Sequence, residues 1–122
     1  MRKIKTKEIE DVRKKMLADQ GGRCGICQQP IRDGVGCLDH SHQTGHIRAV
    51  LCRNCNGLEG KLYTVATRGK QKFSRVWFVK AVLAYWERFD EPQTDMLHPT
   101  HKTADEKRLA RNAKARKARA NR

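Results

Sequence analysis

The 122-residue chain has few acidic residues, few aromatic residues and no long hydrophobic run. Its 13 acidic side chains stand against 27 lysines and arginines, and the formal net charge of +14 predicts a polyanionic partner. Nucleic acid fits that charge best. A membrane surface is a weaker alternative because no long apolar face accompanies the charge, and basic ribosomal or chaperone-like roles stay open on charge alone. The apolar stretch 76–86 is broken by Lys80 and is too short to span a bilayer, so we expect no membrane partner.

The basic N-terminal residues are not followed by an apolar segment of the kind that a secretory signal requires. We therefore expect a cytoplasmic protein, in which five cysteines favour metal binding over disulfides. The 38% content of hydrophobic residues predicts one small domain with tails. The core of such a domain is only marginally stable unless a metal ion or another cross-link supports it.

Four of the cysteines form two C-x-x-C pairs with the pattern C-x2-C-x24-C-x2-C, at Cys24, Cys27, Cys52 and Cys55. Each pair can present two thiolates to one tetrahedral ion, which is the chemistry of zinc. Four cysteines close the coordination sphere, so the pattern predicts a structural zinc and not a catalytic one. A redox dithiol or unrelated buried cysteines are the alternatives. The fifth cysteine, Cys37, is expected to be a small buried residue on a strand.

Hydrophobic periodicity and turn residues predict the order helix, knuckle, hairpin, helix, in which the knuckle is the segment 23–30 that carries the first cysteine pair. An amphipathic helix is expected over 6–20, stopped by the two glycines at 21 and 22. Its outer face is expected to be basic, through Lys3, Lys5, Lys7, Arg13, Lys14 and Lys15. Strands near 36–41 and 46–51 flank a turn at 43–45, and a helix opening at Asn54 or Cys55 runs to about Leu62.

The second half of the chain predicts one apolar helix and one basic segment. A loop at 67–72 precedes a helix over 74–89, whose apolar residues cover more than one face. We interpret that helix as tightly wrapped by the chain or as a homodimer interface. A linker or strap follows over 90–101, in which His98 and His101 are left without an assigned role.

The segment 104–122 is rich in alanine and carries eight basic residues against two acidic ones. We expect it to be disordered alone and helical against phosphates. Together with two arginines near the cysteines, it supplies the candidate DNA contacts: Arg48, Arg53, Lys107, Arg108, Arg111, Lys114, Arg116 and Lys117. A solubilising tail is the alternative.

Between the cysteine pairs lies the segment Asp39-His40-Ser41-His42, and Asn56 directly follows the last cysteine. A phosphodiester hydrolase needs a hard cation at the phosphate and a base that activates water. Asp39 and Asn56 offer oxygen ligands suited to Mg²⁺ or Mn²⁺. His40 is the candidate general base, because histidine changes charge near neutral pH, and His42 is a candidate phosphate contact. A regular strand would point Asp39 and His40 to opposite faces, so the site requires an irregularity there.

The chain resembles the recombination endonuclease VII family, phage-type nucleases of the wider HNH or ββα-metal group. The similar residues are Cys24-Gly-Ile-Cys27, Leu38–His42 with Thr44-Gly45-x-Ile47-Arg48, and Leu51–Asn56. The resemblance covers about residues 18–62. Ala49 stands where a small residue, usually glycine, is expected.

The resemblance implies a small α+β fold: a zinc-stapled, treble-clef-like ββα-metal core flanked by helices, with a basic C-terminal tail. It implies magnesium-dependent DNA cleavage that leaves a 5′-phosphate and a 3′-hydroxyl, with metal on Asp39 and Asn56, His40 as base and His42 in support. The longer family members are homodimers that resolve branched DNA, including four-way junctions. If the chain is phage-encoded, its compartment is the reducing cytoplasm of a bacterial host.

The sequence thus favours a metal-dependent DNA endonuclease, with a junction resolvase as the leading substrate hypothesis. A nicking or sequence-preferring HNH endonuclease is the alternative among enzymes. A non-catalytic zinc module that binds nucleic acid is the alternative outside enzymes. The corresponding division of the chain is a basic helix at 1–22, the nuclease core at 23–62, the apolar helix at 63–90, and the strap and basic tail at 91–122.

Overall fold

A computed structural model describes residues 1–69 and 73–122 of the chain. They form a small α+β fold with a two-stranded antiparallel sheet, as predicted, and with four α-helices. A 3-10 turn at Thr6–Glu8 leads into α1 (Ile9–Asp19), followed by β1 (Cys37–His40), β2 (Ile47–Leu51), α2 (Arg53–Gly69), α3 (Arg75–Arg88) and α4 (Ala104–Ala120). The chain divides into two units, residues 1–84 and 85–122. None of the described helices is long and apolar enough to cross a membrane.

Helix α1 ends where the two glycines were expected to stop it. Gly22 has a φ of +72° and its N–H donates to the carbonyl of Leu17 at 2.8 Å, which closes the last turn. Leu17 is buried, while Arg13 is buried as well and not part of a basic outer face. The guanidinium of Arg13 donates to the Glu10 carboxylate one turn earlier on the helix. The expectation for Arg13 was wrong because packing, which local sequence does not show, encloses its side of the helix.

The hairpin carries the irregularity that the candidate site requires. Cys37 pairs with Leu51 and Leu38 with Val50, but His40 pairs with Ile47. One residue of β1, Asp39, therefore faces two residues of β2, Arg48 and Ala49, which is the count of a β-bulge. The connecting turn uses Gly45 at a φ of +78°, a conformation that favours glycine.

A single side chain ties α1 to the hairpin. The Gln20 amide donates to the Val50 carbonyl at 2.9 Å and accepts from the Val50 N–H at 2.8 Å. It also donates to the Arg23 carbonyl at 2.8 Å, just before the first cysteine knuckle. Val50 itself is fully buried. Gln20 thus pairs with the Val50 N–H, adds a donor to the Val50 carbonyl, and fixes the helix, the knuckle and β2 to one another.

Helix α2 is longer than expected, because it continues to Gly69 and not to about Leu62. Residues 67–69 of the predicted loop are therefore helical, and 70–72 lie outside the described residues. The glycines at 57 and 60 cost helix stability of about 1 kcal/mol each. Contacts that the sequence does not show compensate for that cost. Helix α2 packs on both strands, and its last turn accepts a hydrogen bond at Thr67 from Arg75 at 2.8 Å.

Helix α3 begins and ends within a residue of its predicted limits but is not wrapped by the chain. None of its residues is buried, and Val76 and Trp77 are 63% and 51% exposed. Its Phe78 ring lies against Gly69, where an added Cβ would come within 3.0 Å of the ring. The expectation of a helix enclosed on several sides was wrong for the described residues, because so little chain surrounds it.

Helix α4 is formed in the isolated chain, contrary to the expectation of disorder. Thr103 caps its first turn by accepting from the Glu106 N–H at 3.1 Å. Asp105 pairs with Arg108 at 3.4 Å one turn later. Capping, early acidic residues and a high alanine content are sufficient local reasons for this helix. All of its residues are exposed.

Candidate metal centre and nuclease site

The four cysteines of the two pairs converge on one point. Their sulfur atoms all lie within 4.8 Å of one another, and the Sγ atoms of Cys27 and Cys52 are 4.0 Å apart. Four thiolates at about 2.3 Å from a tetrahedral zinc ion would lie about 3.8 Å apart. All five cysteines are free, so no disulfide competes for these sulfurs. The cluster is positioned to hold a metal ion, and its donor set fits structural zinc.

Backbone N–H groups surround two of the sulfurs. The N–H groups of Ile26 and Cys52 both donate to the Cys24 sulfur at 3.4 Å, and that of Cys55 donates to the Cys52 sulfur at 3.4 Å. Burial raises the pKa of Cys24, but these donors outweigh it and lower the pKa to about 6. Hydrogen bonding to Cys52 and burial raise the pKa of Cys55 to about 12. Four adjacent thiols cannot all ionise without a cation, so a metal ion bound to them would stabilise this folded cluster.

The first knuckle lies directly on β2. Gly25 donates its N–H to the Val50 carbonyl at 3.0 Å, and a Cβ at this glycine would come within 3.0 Å of the Ala49 Cβ. A large residue at either position would push the knuckle off the strand. This close approach explains why a small residue, here Ala49, is needed on β2.

The bulge brings Asp39 against an arginine. Asp39 is 8% exposed, and its Oδ2 accepts from the Arg48 Nε at 2.6 Å. The Arg48 Nη2 lies 3.2 Å from Glu59 Oε1 on α2, so the guanidinium bridges two carboxylates. Hydrogen bonding to Asp39 raises the pKa of Arg48 further above its ordinary value. Arg48, expected as a DNA contact, is therefore engaged inside the candidate site.

Glu59 was missed by the sequence analysis. It stands three residues after Asn56, so both project from the same side of α2. That spacing was the available signal, because a second oxygen ligand or anchor for the site would be expected one turn along the same helix. Its significance appears only through the contact with Arg48.

The two histidines lie together on the solvent side of the hairpin. The ring centroids of His40 and His42 are 5.0 Å apart with an interplanar angle of 53°, and both side chains are exposed. Asp39 is buried, whereas its neighbour His40 is exposed.

Asn56 lies in the first turn of α2 and directly follows the ligand Cys55. Its N–H donates to the Cys52 carbonyl at 3.0 Å, and its side chain is half-buried. Within residues 1–69 and 73–122, no hydrogen bond joins Asn56 to Asp39 or His40. The structure therefore brings together His40 with His42, and Asp39 with Arg48 and Glu59, while Asn56 lies at the helix start next to Cys55 of the cysteine cluster.

The other predicted DNA contacts lie on exposed helical surface. Arg53 begins α2, beside Cys52. The remaining six are exposed on α4. These side chains are exposed, with Arg108 also paired to Asp105, whereas Arg48 is bound to two carboxylates.

Comparison with known families gives one finding. The model of the family described as recombination endonuclease VII matches residues 1–88. The match spans the four cysteines, the hairpin, α2 and α3, and it ends before α4 begins.

Proposed function

This chain belongs to the recombination endonuclease VII family and is a nuclease that acts on DNA, and from that premise we propose that it is a metal-dependent HNH-type endonuclease that resolves branched DNA such as four-way junctions. The observation that carries this proposal is the joining of hairpin and helix by the cysteine cluster. A metal ion on Cys24, Cys27, Cys52 and Cys55 would join the first knuckle, which lies on β2, to the start of α2 with its Asn56. The same hairpin carries Asp39 and His40.

In the proposed mechanism, two residues supply oxygen ligands for the metal and two histidines supply imidazole groups. Asp39 and Asn56 would hold Mg²⁺ or Mn²⁺, which supplies charge neutralisation at the phosphate and at the departing oxygen. His40 takes the proton of the attacking water, and its exposure leaves it accessible to that water and to substrate. His42, next to His40, hydrogen-bonds a phosphate oxygen. The free N–H groups at the start of α2 favour the same anion.

Resolution of a four-way junction needs two cuts, which a homodimer with two sites provides. The helical pair of α2 and α3 exposes a set of large apolar side chains that the chain leaves uncovered: Leu58, Leu62, Val65, Val76, Trp77 and Leu83. Exposed apolar patches of this kind mark interaction surfaces more often than free surface. We propose that a second copy of the chain covers them.

The direct test is cleavage of a labelled four-way junction beside a linear duplex of matched sequence, with Mg²⁺ or Mn²⁺. We expect paired, opposed cuts in the junction and little cutting of the duplex. Equal cutting of both substrates would favour the nicking or sequence-preferring endonuclease instead. Binding without cleavage under every metal condition would favour the non-catalytic zinc module.

Helix α4 provides a separate prediction about DNA affinity. Seventeen residues of helix extend about 25 Å and present basic side chains around much of their circumference. Deleting residues 104–122 removes eight basic residues, so we expect weaker binding and a salt dependence whose log–log slope falls by up to about seven. The measurement is the dissociation constant for a duplex at several salt concentrations without divalent metal.

A matched variant separates charge from chain length. Replacing Lys107, Arg111 and Lys114 by glutamine keeps a good helix former at each position and removes three charges. We expect a fall in slope of about three. An unchanged slope in both variants would make α4 a bystander to DNA binding.

A further inference from the structure

The bridge between Asp39, Arg48 and Glu59 joins three elements of the fold at one guanidinium. Asp39 lies on β1, Arg48 on β2 and Glu59 on α2. The 2.6 Å contact uses Arg48 Nε and the 3.2 Å contact uses Nη2. The Arg48 side chain keeps 40% of its surface exposed, whereas the Asp39 side chain keeps 9%. The arginine is therefore the accessible partner of a nearly buried carboxylate.

The two oxygens of Asp39 are in different situations. Oδ2 accepts the hydrogen bond from Arg48, while Oδ1 has no hydrogen-bond partner among the residues that the structure describes. Oδ1 is not among the buried polar atoms without a partner in this part of the chain. One oxygen of Asp39 is held by Arg48, and the other accepts no hydrogen bond from the described residues.

We propose that Arg48 is a positioning residue for the catalytic cation, an inference that rests on the assignment of Asp39 as a metal ligand under the proposed function. Arg48 fixes the Asp39 carboxylate through Oδ2 and leaves Oδ1 available to a divalent cation. Glu59 in turn holds the Arg48 guanidinium. Ligating carboxylates are commonly oriented by such hydrogen bonds from residues behind them.

The charges allow the positioning role to be tested by whether cation binding becomes weaker or stronger when Arg48 is replaced. Asp39, Glu59 and Arg48 together carry a net charge of −1. Removing the arginine would leave −2, and charge alone would then strengthen cation binding. Orientation predicts the opposite. A nearly buried carboxylate that loses its hydrogen-bonding partner turns toward solvent, and this change of orientation removes it as a ligand.

The bulge explains why this position requires arginine. Because Asp39 faces two residues of β2, Arg48 stands beside the carboxylate and its planar fork reaches Glu59 at the same time. Lysine has a single ammonium on a flexible stem and cannot hold two carboxylates in the same fixed geometry.

The experiment measures Mn²⁺ binding to the zinc-loaded full chain without DNA, by the loss of the free-ion EPR signal. Asp39→Asn is the reference for loss of the ligand. We expect Arg48→Met to weaken Mn²⁺ binding by about 10- to 100-fold. Arg48→Lys should recover part of the loss, and Glu59→Gln should have a smaller effect than Arg48→Met. Zinc content and circular dichroism establish that each variant is folded, and Arg48→Lys retains the charge if Arg48→Met does not fold.

The outcomes separate this inference from the proposed function. Mn²⁺ binding that is unchanged or tighter in Arg48→Met, but lost in Asp39→Asn, overturns the positioning role and leaves the metal site intact. Unchanged binding in Asp39→Asn overturns the assignment of Asp39 and with it the role of Arg48. A larger loss of Mn²⁺ binding in Glu59→Gln than in Arg48→Met would mean that Glu59 acts on the cation directly. That result overturns the inference that Glu59 acts by holding Arg48.

Discussion

Replacing Cys55 with serine, or removing the bound ion with a chelator, is expected to unfold residues 1–84. The described buried hydrophobic residues are few, namely Leu17, Cys24, Val50, Leu51 and Ala66. Structural zinc centres contribute about 10–16 kcal/mol of apparent free energy. That is comparable to the whole stability of a typical domain, about 5–15 kcal/mol. Without the ion, this core is too small to hold α1, the hairpin and α2 together.

The measurement is far-UV circular dichroism with zinc quantification, before and after chelation. Cys37→Ser is the matched control, because Cys37 is the cysteine outside the cluster and pairs with Leu51 on the hairpin. It should keep one zinc per chain and remain folded. Residual helical signal is expected from α4, which has its own cap and lies in the other unit. A chelated protein with its full spectrum would show that the cysteines are not a structural centre.

Replacing His40 with alanine is expected to reduce DNA cleavage by about 10²- to 10⁴-fold, the usual contribution of a general base. The fold should be unaffected, because the His40 side chain is exposed and lies beside the ring of His42. Zinc content, melting temperature and DNA affinity without divalent metal should therefore match those of the wild type. The measurement is the single-turnover cleavage rate on a four-way junction.

His46→Ala is the matched control for that variant. His46 lies on the same hairpin, is exposed, and has its ring nitrogen 2.8 Å from Thr44 Oγ1. It is outside the proposed site, so its replacement should leave the cleavage rate within a few-fold of the wild type. Equal losses in both variants would point to damage of the hairpin, and a normal rate in His40→Ala would remove His40 from the mechanism.

Local sequence was sufficient to predict several elements of this fold. The position of α3, the stop of α1 at two glycines and the turn at Gly45 each depend on residues that are neighbours in the chain. The end of α2 could not be predicted in the same way. Its two glycines argue for a short helix, and only packing on the strands and the contact between Thr67 and Arg75 explain its extension to Gly69.

The candidate site was likewise predicted from the sequence only in part. The spacing of the cysteines predicted a four-sulfur centre, and the geometry of the cluster confirms it. The roles of Asp39, His40, His42 and Asn56 stay predictions. The sequence pointed to Arg48 as a DNA contact, which stays a prediction, and the structure shows that Arg48 also binds Asp39 and Glu59.

The sequence by itself determined the four-cysteine cluster, the family and the excess of basic charge on the chain, because these depend on residue type, spacing and total charge. Tertiary structure alone decided the bulge at Asp39, the burial of Arg13, the exposure of α3 and the bridge through Arg48. Each of these depends on which segments of the chain lie against one another. In the bridge, for example, Arg48 and Asp39 are 9 residues apart in the sequence. A periodicity or a motif reports residue types and their spacing along the chain. Contacts between segments therefore appear only in the folded molecule.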